Sequence, residues 1–487
     1  MMPTTIWRRT ALVLVLLSAA VWSGCGDTFR PVAVPVIGPP PDPKNFHFAI
    51  VVNQNAPGNP GSGLQIDVSG DTAVGVAHSG PTPVHAALTA NAARVYVANS
   101  NGTVSTFTPA PACFFSPCTV TGTGAVTNIT LPSSSATPPV PADPVFLHST
   151  ESATMYVADF ANSNIFAINT TSNAVANTIP LPAGSQPILL AETPDTKKLY
   201  SVNQGTKTIS SINVVDKSLN PPIGGFTNPV WAVASLDLKD VFVLDQATGV
   251  ISAIDTFSDV VSAATTSVGA GANFILLDKR LNRLYVTNPA ASTLSIFDAS
   301  TTNTAVSPAA PPRLLTTLAV ATPNMVTALG DGSRVYTSSS TLAPCATAPA
   351  DTCASSHVTV IRTSDNIITK TIDLGPVDLM TLYPPSLATP TTPGPNAAVV
   401  ACSSQRFPTS IASSADSTKV YVADCFAGST TVINTTNDAV VLPINSPVSA
   451  YCPPLLPGQT LPCQPPGPTQ TPLPPPPENP VWIVAEP

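Results

Sequence analysis

The sequence predicts an all-β protein: a single β-propeller of eight four-stranded blades, closed by strands from its two ends. Three observations predict it. A short strand motif returns at residues 49–53, 95–99, 155–159, 199–203, 241–245, 284–288, 335–339 and 420–424, which makes eight copies. The central copies begin at Met155, Leu199, Val241 and Leu284, so they lie 44, 42 and 43 residues apart, the length of one four-stranded blade. The 487 residues lean on Thr, Ser, Ala, Val and Asn with 56 prolines, a composition that favours strands and turns over helices. A hydrophobic share of 43% is enough to build a core despite the proline.

Residues 184–217 give a clean unit. A strand follows Pro187, a turn falls at Pro194-Asp195, a second strand starts at Leu199, a turn falls at Gln204-Gly205, and a third strand runs from Thr208. Short strands separated by turn signals read as antiparallel hairpins. Blades pack on both faces, so their innermost strands can be apolar on both sides, as Ile188-Leu189-Leu190-Ala191 and Val230-Trp231-Ala232-Val233 are. Such strands begin near Pro83, Pro144, Pro187, Pro229, Ala272, Pro323, Pro408 and Pro480, again eight. The Asn or Asp that closes each second strand can accept turn amides. A second set, Asn169, Asn213, Asp255, Asp298 and Asn434, ends the third strands in the same manner. One side chain per turn does not build a calcium cage, so these read as caps and no metal is assigned.

The ends complete one another. Asn479-Pro480-Val481-Trp482-Ile483-Val484-Ala485 repeats Asn228-Pro229-Val230-Trp231-Ala232-Val233-Ala234 almost residue for residue, yet the chain stops just beyond it. Residues 46–53, 64–68 and 73–78 supply strands with no inner strand before them. One blade should therefore mix the C-terminal inner strand with three N-terminal strands. Seven blades is the alternative, if the divergent unit around Val335 is an insertion. Stretches 109–140, 340–356, 379–400 and 451–477 break the period and are read as loops outside the blades.

Tyr285-Val286-Thr287-Asn288, with its variants Tyr96-Val97-Ala98-Asn99, Tyr156-Val157-Ala158-Asp159 and Tyr421-Val422-Ala423-Asp424, resembles the YVTN family of bacterial surface propellers. The resemblance covers residues 46–450 and implies the propeller fold.

Residues 1–24 carry Arg8 and Arg9, an apolar run from Ala11 to Trp22, and small residues before Cys25, the layout of an export signal. Ser23-Gly24-Cys25 resembles the bacterial lipoprotein box, which implies lipidation at Cys25. Gly26 after it implies sorting to the outer membrane. Trp22 departs from the aliphatic residue usual in the box. Residues 25–45 then read as a stiff Pro-rich linker between the lipid and a propeller over 46–487.

Charged residues make up 9% of the chain, net charge is -8, and the few basic residues form no cluster, which argues against a nucleic-acid partner. Setting Cys25 aside leaves eight cysteines, an even count in an exported chain and a sign of disulfides. Proximity in sequence favours Cys113–Cys118, Cys345–Cys353, Cys402–Cys425 and Cys452–Cys463. No Cys-x-x-Cys pair or adjacent histidine supports zinc. The histidines, His47, His78, His85, His148 and His357, stand in no triad or metal-ligand spacing. His85 and His148 fall on inner strands and are the candidates for groups facing the central channel.

These readings assign no catalytic residue and no cofactor. They favour a monomeric, non-catalytic envelope protein that binds an unknown protein, polymer or surface ligand through its rim loops and touches the membrane only through its lipid. A lactonase-like hydrolase using the channel and an outer-membrane assembly scaffold are the alternatives. The first of these requires polar groups converging in the channel.

Overall fold

The computed structural model describes residues 47–55, 59–110, 123–300, 311–346, 351–379, 402–403, 405–447 and 477–486. Thirty-one strands among them form eight antiparallel sheets. The blades are numbered from one to eight by their inner strands: Pro83–Leu88, Pro144–His148, Pro187–Glu192, Pro229–Ala234, Phe274–Asp278, Pro323–Ala328, Thr409–Ser413 and Asn479–Ala485. Each inner strand pairs with the next strand in sequence, except in blade 8, where Asn479–Ala485 pairs with Phe48–Gln54. Blade 8 thus has three strands from the N-terminal end and one from the C-terminal end. Seven sheets have four strands. In blade 3 the fourth position is held only by the isolated bridges Ile209 to Ile223 and Ile212 to Leu219. The eight-bladed reading is therefore the right one, and the unit around Val335 is a full blade, built from Pro323–Ala328, Arg334–Pro344, Thr352–Arg362 and Ile367–Asp378.

Residues 340–356 differ from their reading as a loop outside the blade. The second and third strands of blade 6 run on past the motif, pairing continuously from Arg334 with Arg362 to Pro344 with Thr352. Cys345 and Cys353 join as a disulfide at the tip of this hairpin, and Cys345 N–H donates to the Asp351 carbonyl. Thr and Ser in a paired extended ladder satisfy strand geometry, so the composition that signalled a loop was compatible with a strand. Likewise Thr127–Thr130, inside the stretch 109–140, is the outer strand of blade 1. Stretches 380–400 and 451–476 lie outside the described residues, as do Cys25 and the whole of 1–45.

The motif side chains are the packing between blades. Tyr96, Tyr156, Tyr200, Tyr285, Tyr336 and Tyr421 are all fully buried. Their rings sit in the blade interfaces, and six of the eight junctions carry the same polar latch. In it the Tyr, or the Lys or Arg two residues before it, meets a residue in the turn just before the fourth-strand position of the next blade. Lys198 Nζ and Tyr200 Oη both reach Asp259, at 3.0 and 2.9 Å. Arg334 Nη1 and Tyr336 Oη reach Asp438 at 2.6 and 2.5 Å. Arg283 Nη1 donates to Asn366 Oδ1 at 3.0 Å, and Lys419 pairs with Asp71. Asn173, with its amide turned to suit, accepts from Arg94 and donates to Tyr96 Oη. Between blades 2 and 3 the polarity reverses, and Lys217 Nζ donates to Tyr156 Oη at 3.0 Å. All six receiving residues have positive φ, between 50° and 62°, a conformation that Asn and Asp adopt with little cost and that five of the six supply.

An Asn or Asp lies at the end of the second strand in every blade but blade 6, and in blades 4 and 5 it caps turns. Asp245 accepts from the amides of Thr227, Asn228, Ala247 and Thr248, tying the entry of the inner strand to the following hairpin. Asn288 donates to the carbonyls of Val268, Gly269 and Ala270 and accepts from Ala291 N–H. The third-strand set forms local Asx turns, as where Asp255 accepts from Phe257 and Ser258. Among the described residues no helix is long and apolar enough to cross a membrane.

Candidate functional site: an aromatic plug and a stacked arginine

The inner strands bring their side chains to the axis of the ring. At the end where these strands begin, aromatic rings from blades 1, 2, 4, 7 and 8 form a closed circuit of contacts. His85 lies 4.1 Å from Phe146 and 4.4 Å from Trp482. Phe146 meets Trp231 edge-on at 6.2 Å, Trp231 meets Phe407 at 5.8 Å, and Phe407 returns to Trp482 at 6.3 Å. Phe274 of blade 5 packs on both Trp231 and Phe407. Tilted and edge-to-face pairs at these separations are each favourable beyond the area they bury. The rings fill the axis at this level, so the channel has an aromatic plug.

His85 belongs to this plug. Its Nδ1 accepts the Leu147 amide from blade 2 at 3.3 Å, and burial, aided by the charge of His148, pushes its pKa down to about 3. The imidazole is neutral at physiological pH and acts as one more ring. His148 lies at the other end of the inner strands, away from the plug. Its Nε2 stands 3.2 Å from Thr150 Oγ1 and 3.9 Å from Glu192 Oε2, too far from the latter for a hydrogen bond. Its side chain is 28% exposed, and enclosure by the ring together with Lys279 pushes its pKa down to about 4. Glu192 is buried, which raises its pKa, while its Oε2 accepts the Thr150 amide at 3.2 Å. The two sequence-predicted channel histidines are therefore not brought together into one site.

His148 and Glu192 share one wall of the channel. Half-buried side chains on the other inner strands include Ala87, Val233, Leu276, Ala412, Ser413 and Val484. The Lys279 charge, just past the inner strand of blade 5, reaches His148, and among the described residues no three His, Cys, Asp or Glu side chains are placed to hold a metal. A shallow cleft of about 430 Å³ between blades 1 and 2, lined by Thr89, Asn91, Arg94, Ser152 and Thr170, likewise lacks a nucleophile–base pair. Its Arg94 is engaged in the Asn173 latch.

The sequence reading missed Arg406 and Phe407. They precede the inner strand of blade 7 and lie outside the repeat. Arg406 reaches across the axis from blade 7 to blades 4 and 5. Its Nη2 donates to the Val230 and Asn273 carbonyls, both at 2.8 Å, and its guanidinium lies over the rings of Trp231, at 4.9 Å, and Phe407, at 5.1 Å. Burial lowers its pKa to about 10, which leaves it charged. The segment that carries it is pinned by the Cys402–Cys425 disulfide, as the cysteine spacing predicts. Cys113, Cys118, Cys452 and Cys463 lie outside the described residues.

No protein-family model matches the chain, and no curated protein matches it. Solved structures do. AztD from Citrobacter koseri, in its apo form, aligns over 90% of this chain and 98% of its own with a TM-score of 0.53 and 10% identity. The periplasmic gluconolactonase PpgL of Pseudomonas aeruginosa covers 68% of this chain and 96% of its own at TM-score 0.48 and 12% identity. A protein from Bacteroides fragilis described as a putative 6-phosphogluconolactonase covers 90% and 98% at TM-score 0.47 and 10% identity. At these identities the likeness extends to the propeller fold and no further.

Proposed function

We propose that the chain is a non-catalytic binding body of the cell envelope, held to a membrane by a lipid on Cys25 and presenting one rim of a rigid ring to its ligand. The aromatic plug carries this reading. Hydrolysis in a propeller channel needs a substrate lying among converging polar groups. Here the axis is filled by rings at one end, and at the other His148 and Glu192 stand 3.9 Å apart, too far to share a hydrogen bond. The basic and apolar segment before Cys25 and the Pro-rich linker after it support export and tethering.

The His148–Glu192 pair is the one observation that favours the lactonase-like alternative. The deciding experiment assays the purified protein against a panel of aldonolactones, with Glu192→Gln alongside. The binding reading expects no turnover above the spontaneous rate for either protein. Turnover that disappears in Glu192→Gln would establish the hydrolase instead. Fractionation of Cys25→Ser tests the tether, with release from membranes expected.

A further inference from the structure

We propose that Arg406 is a ligand-binding residue, the recognition group for a small organic carboxylate bound at the plugged end of the channel. The inference rests on the binding reading above and assigns its ligand a chemical class.

The first support is an unmet charge. A guanidinium has five N–H donors and no acceptor. The two on Nη2 are used by the Val230 and Asn273 carbonyls, and Arg406 makes no other hydrogen bond and no ion pair among the described residues. Burial alone accounts for its lowered pKa, with no carboxylate opposing it. The acids of this rim do not pair with Arg406: Asp159, Asp245 and Asp424 accept backbone amides, Glu478 accepts from Ser62, and Asp143 is a half-buried carboxyl whose pKa burial raises. An enclosed arginine is normally paired, so a charged one with three open donors leaves room for an anion from outside the chain.

The second support is that the group is both accessible and held in place. Arg406 keeps an exposed surface although the ring encloses it, so a ligand can reach it from the channel end. Two carbonyls and two aromatic faces fix the guanidinium plane. Behind it, the backbone is clamped by the Cys402–Cys425 disulfide, by Gln405 Nε2 donating to Gln54 Oε1 at 3.1 Å, and by Cys425 N–H donating to the Pro408 carbonyl at 3.0 Å. An arm built in this way loses little conformational freedom when an anion arrives. The neighbouring polar side chains, such as Asn228 and Gln246, are neutral amides that hydrogen-bond to each other at 3.3 Å and can turn to ligand hydroxyls. The plug blocks passage beyond Arg406, which limits the ligand to what fits at the mouth.

Four tryptophans occur in the sequence. Trp7 and Trp22 lie in the signal segment, and Trp231 and Trp482 are both in the plug. Intrinsic fluorescence therefore reports on this site. The exported protein, without residues 1–24, titrated with citrate at constant ionic strength is expected to show a saturable change in tryptophan emission with Kd at or below about 1 mM. Arg406→Gln should weaken it at least tenfold, and Arg406→Lys should recover only part of the loss, because an ammonium cannot keep the stacked plane. Should Arg406→Gln fail to fold, protection of Arg406 in the unaltered protein from phenylglyoxal by citrate, read by mass spectrometry, takes its place. No emission change, an unchanged response in Arg406→Gln, absence of protection, or a response to inorganic phosphate and not to citrate would each overturn the proposal. Lactone turnover would remove the binding reading while leaving a carboxylate response intact, so the two failures are distinguishable.

Discussion

Asp240 occupies the position where blades 1, 3, 5, 6 and 7 carry Arg94, Lys198, Arg283, Arg334 and Lys419. It is 1% exposed, and neither carboxylate oxygen has a hydrogen-bond partner among the described residues. Burial, with Asp237 and Asp255 nearby, raises its pKa to about 7. A carboxyl whose folded pKa is raised binds its proton more tightly in the native state. Its contribution is therefore fully present below the unfolded value near 4 and is lost as pH rises through 7. Asp240→Asn should remove this loss, so its stability relative to the unaltered protein should improve steadily between pH 4 and pH 8. The check is a set of denaturant midpoints across that range; parallel midpoints would show that Asp240 is not strained. Nothing in the local sequence marks Asp240 as unpaired, because the opposing residues come from the next blade.

The latch between hairpins shows the same limit at the scale of elements. The Tyr and the basic residue two before it are plain in the sequence, and so is the Asn or Asp just before the fourth strand in blades 2, 4, 6, 7 and 8. Their pairing is not, because partners lie about 60 to 100 residues apart, as Lys198 and Asp259 do, or Arg334 and Asp438, and Lys419 and Asp71 are 348 apart across the closure. Once the pairs are seen, the exceptions fall into place. The two blades without a Tyr, blade 4 with Phe242 and blade 8 with Ile50, are each followed by a blade whose third-to-fourth strand connection is long: residues 299–312 in blade 5 and 108–126 in blade 1. Where the receiving turn is lost, the donor hydroxyl is absent too. Asp438→Ala leaves both Arg334 and Tyr336 without an acceptor and should destabilise the fold by about 1–3 kcal/mol. Tyr336→Phe should cost less, about 1 kcal/mol, and the double variant should cost less than the sum. Additive losses in urea unfolding would mean that the two do not share Asp438.

For the whole molecule, closure concentrates in one strand. Asn479–Ala485 pairs with Phe48–Gln54, packs Val481 and Ile483 into the core, and contributes Trp482 to the plug. Removing residues 479–487 opens the ring, exposes the edge of Phe48–Gln54 and breaks the aromatic circuit at once. The melting temperature should fall by well over 10 °C, with aggregation on heating; an unchanged melt would mean that the ring holds without this strand. This closure was legible in the sequence because Asn479-Pro480-Val481-Trp482 repeats Asn228-Pro229-Val230-Trp231.

The sequence by itself determined the fold and the closing strand, and favoured eight blades and the Cys345–Cys353 and Cys402–Cys425 pairs, which the structure then settled. All of these arise from local patterns: a strand motif, its spacing, and cysteines close in sequence. The plug and its arginine were decided by the tertiary structure alone. His85, Phe146, Trp231, Phe274 and Trp482 are unremarkable within their own strands, and Arg406 and Phe407 lie in a segment without a repeat. They become a site because eight separate strands converge on one axis, where side chains hundreds of residues apart share a few ångströms of space. A periodic sequence specifies that this axis exists, but what fills it depends on single residues at positions where the repeat imposes no choice.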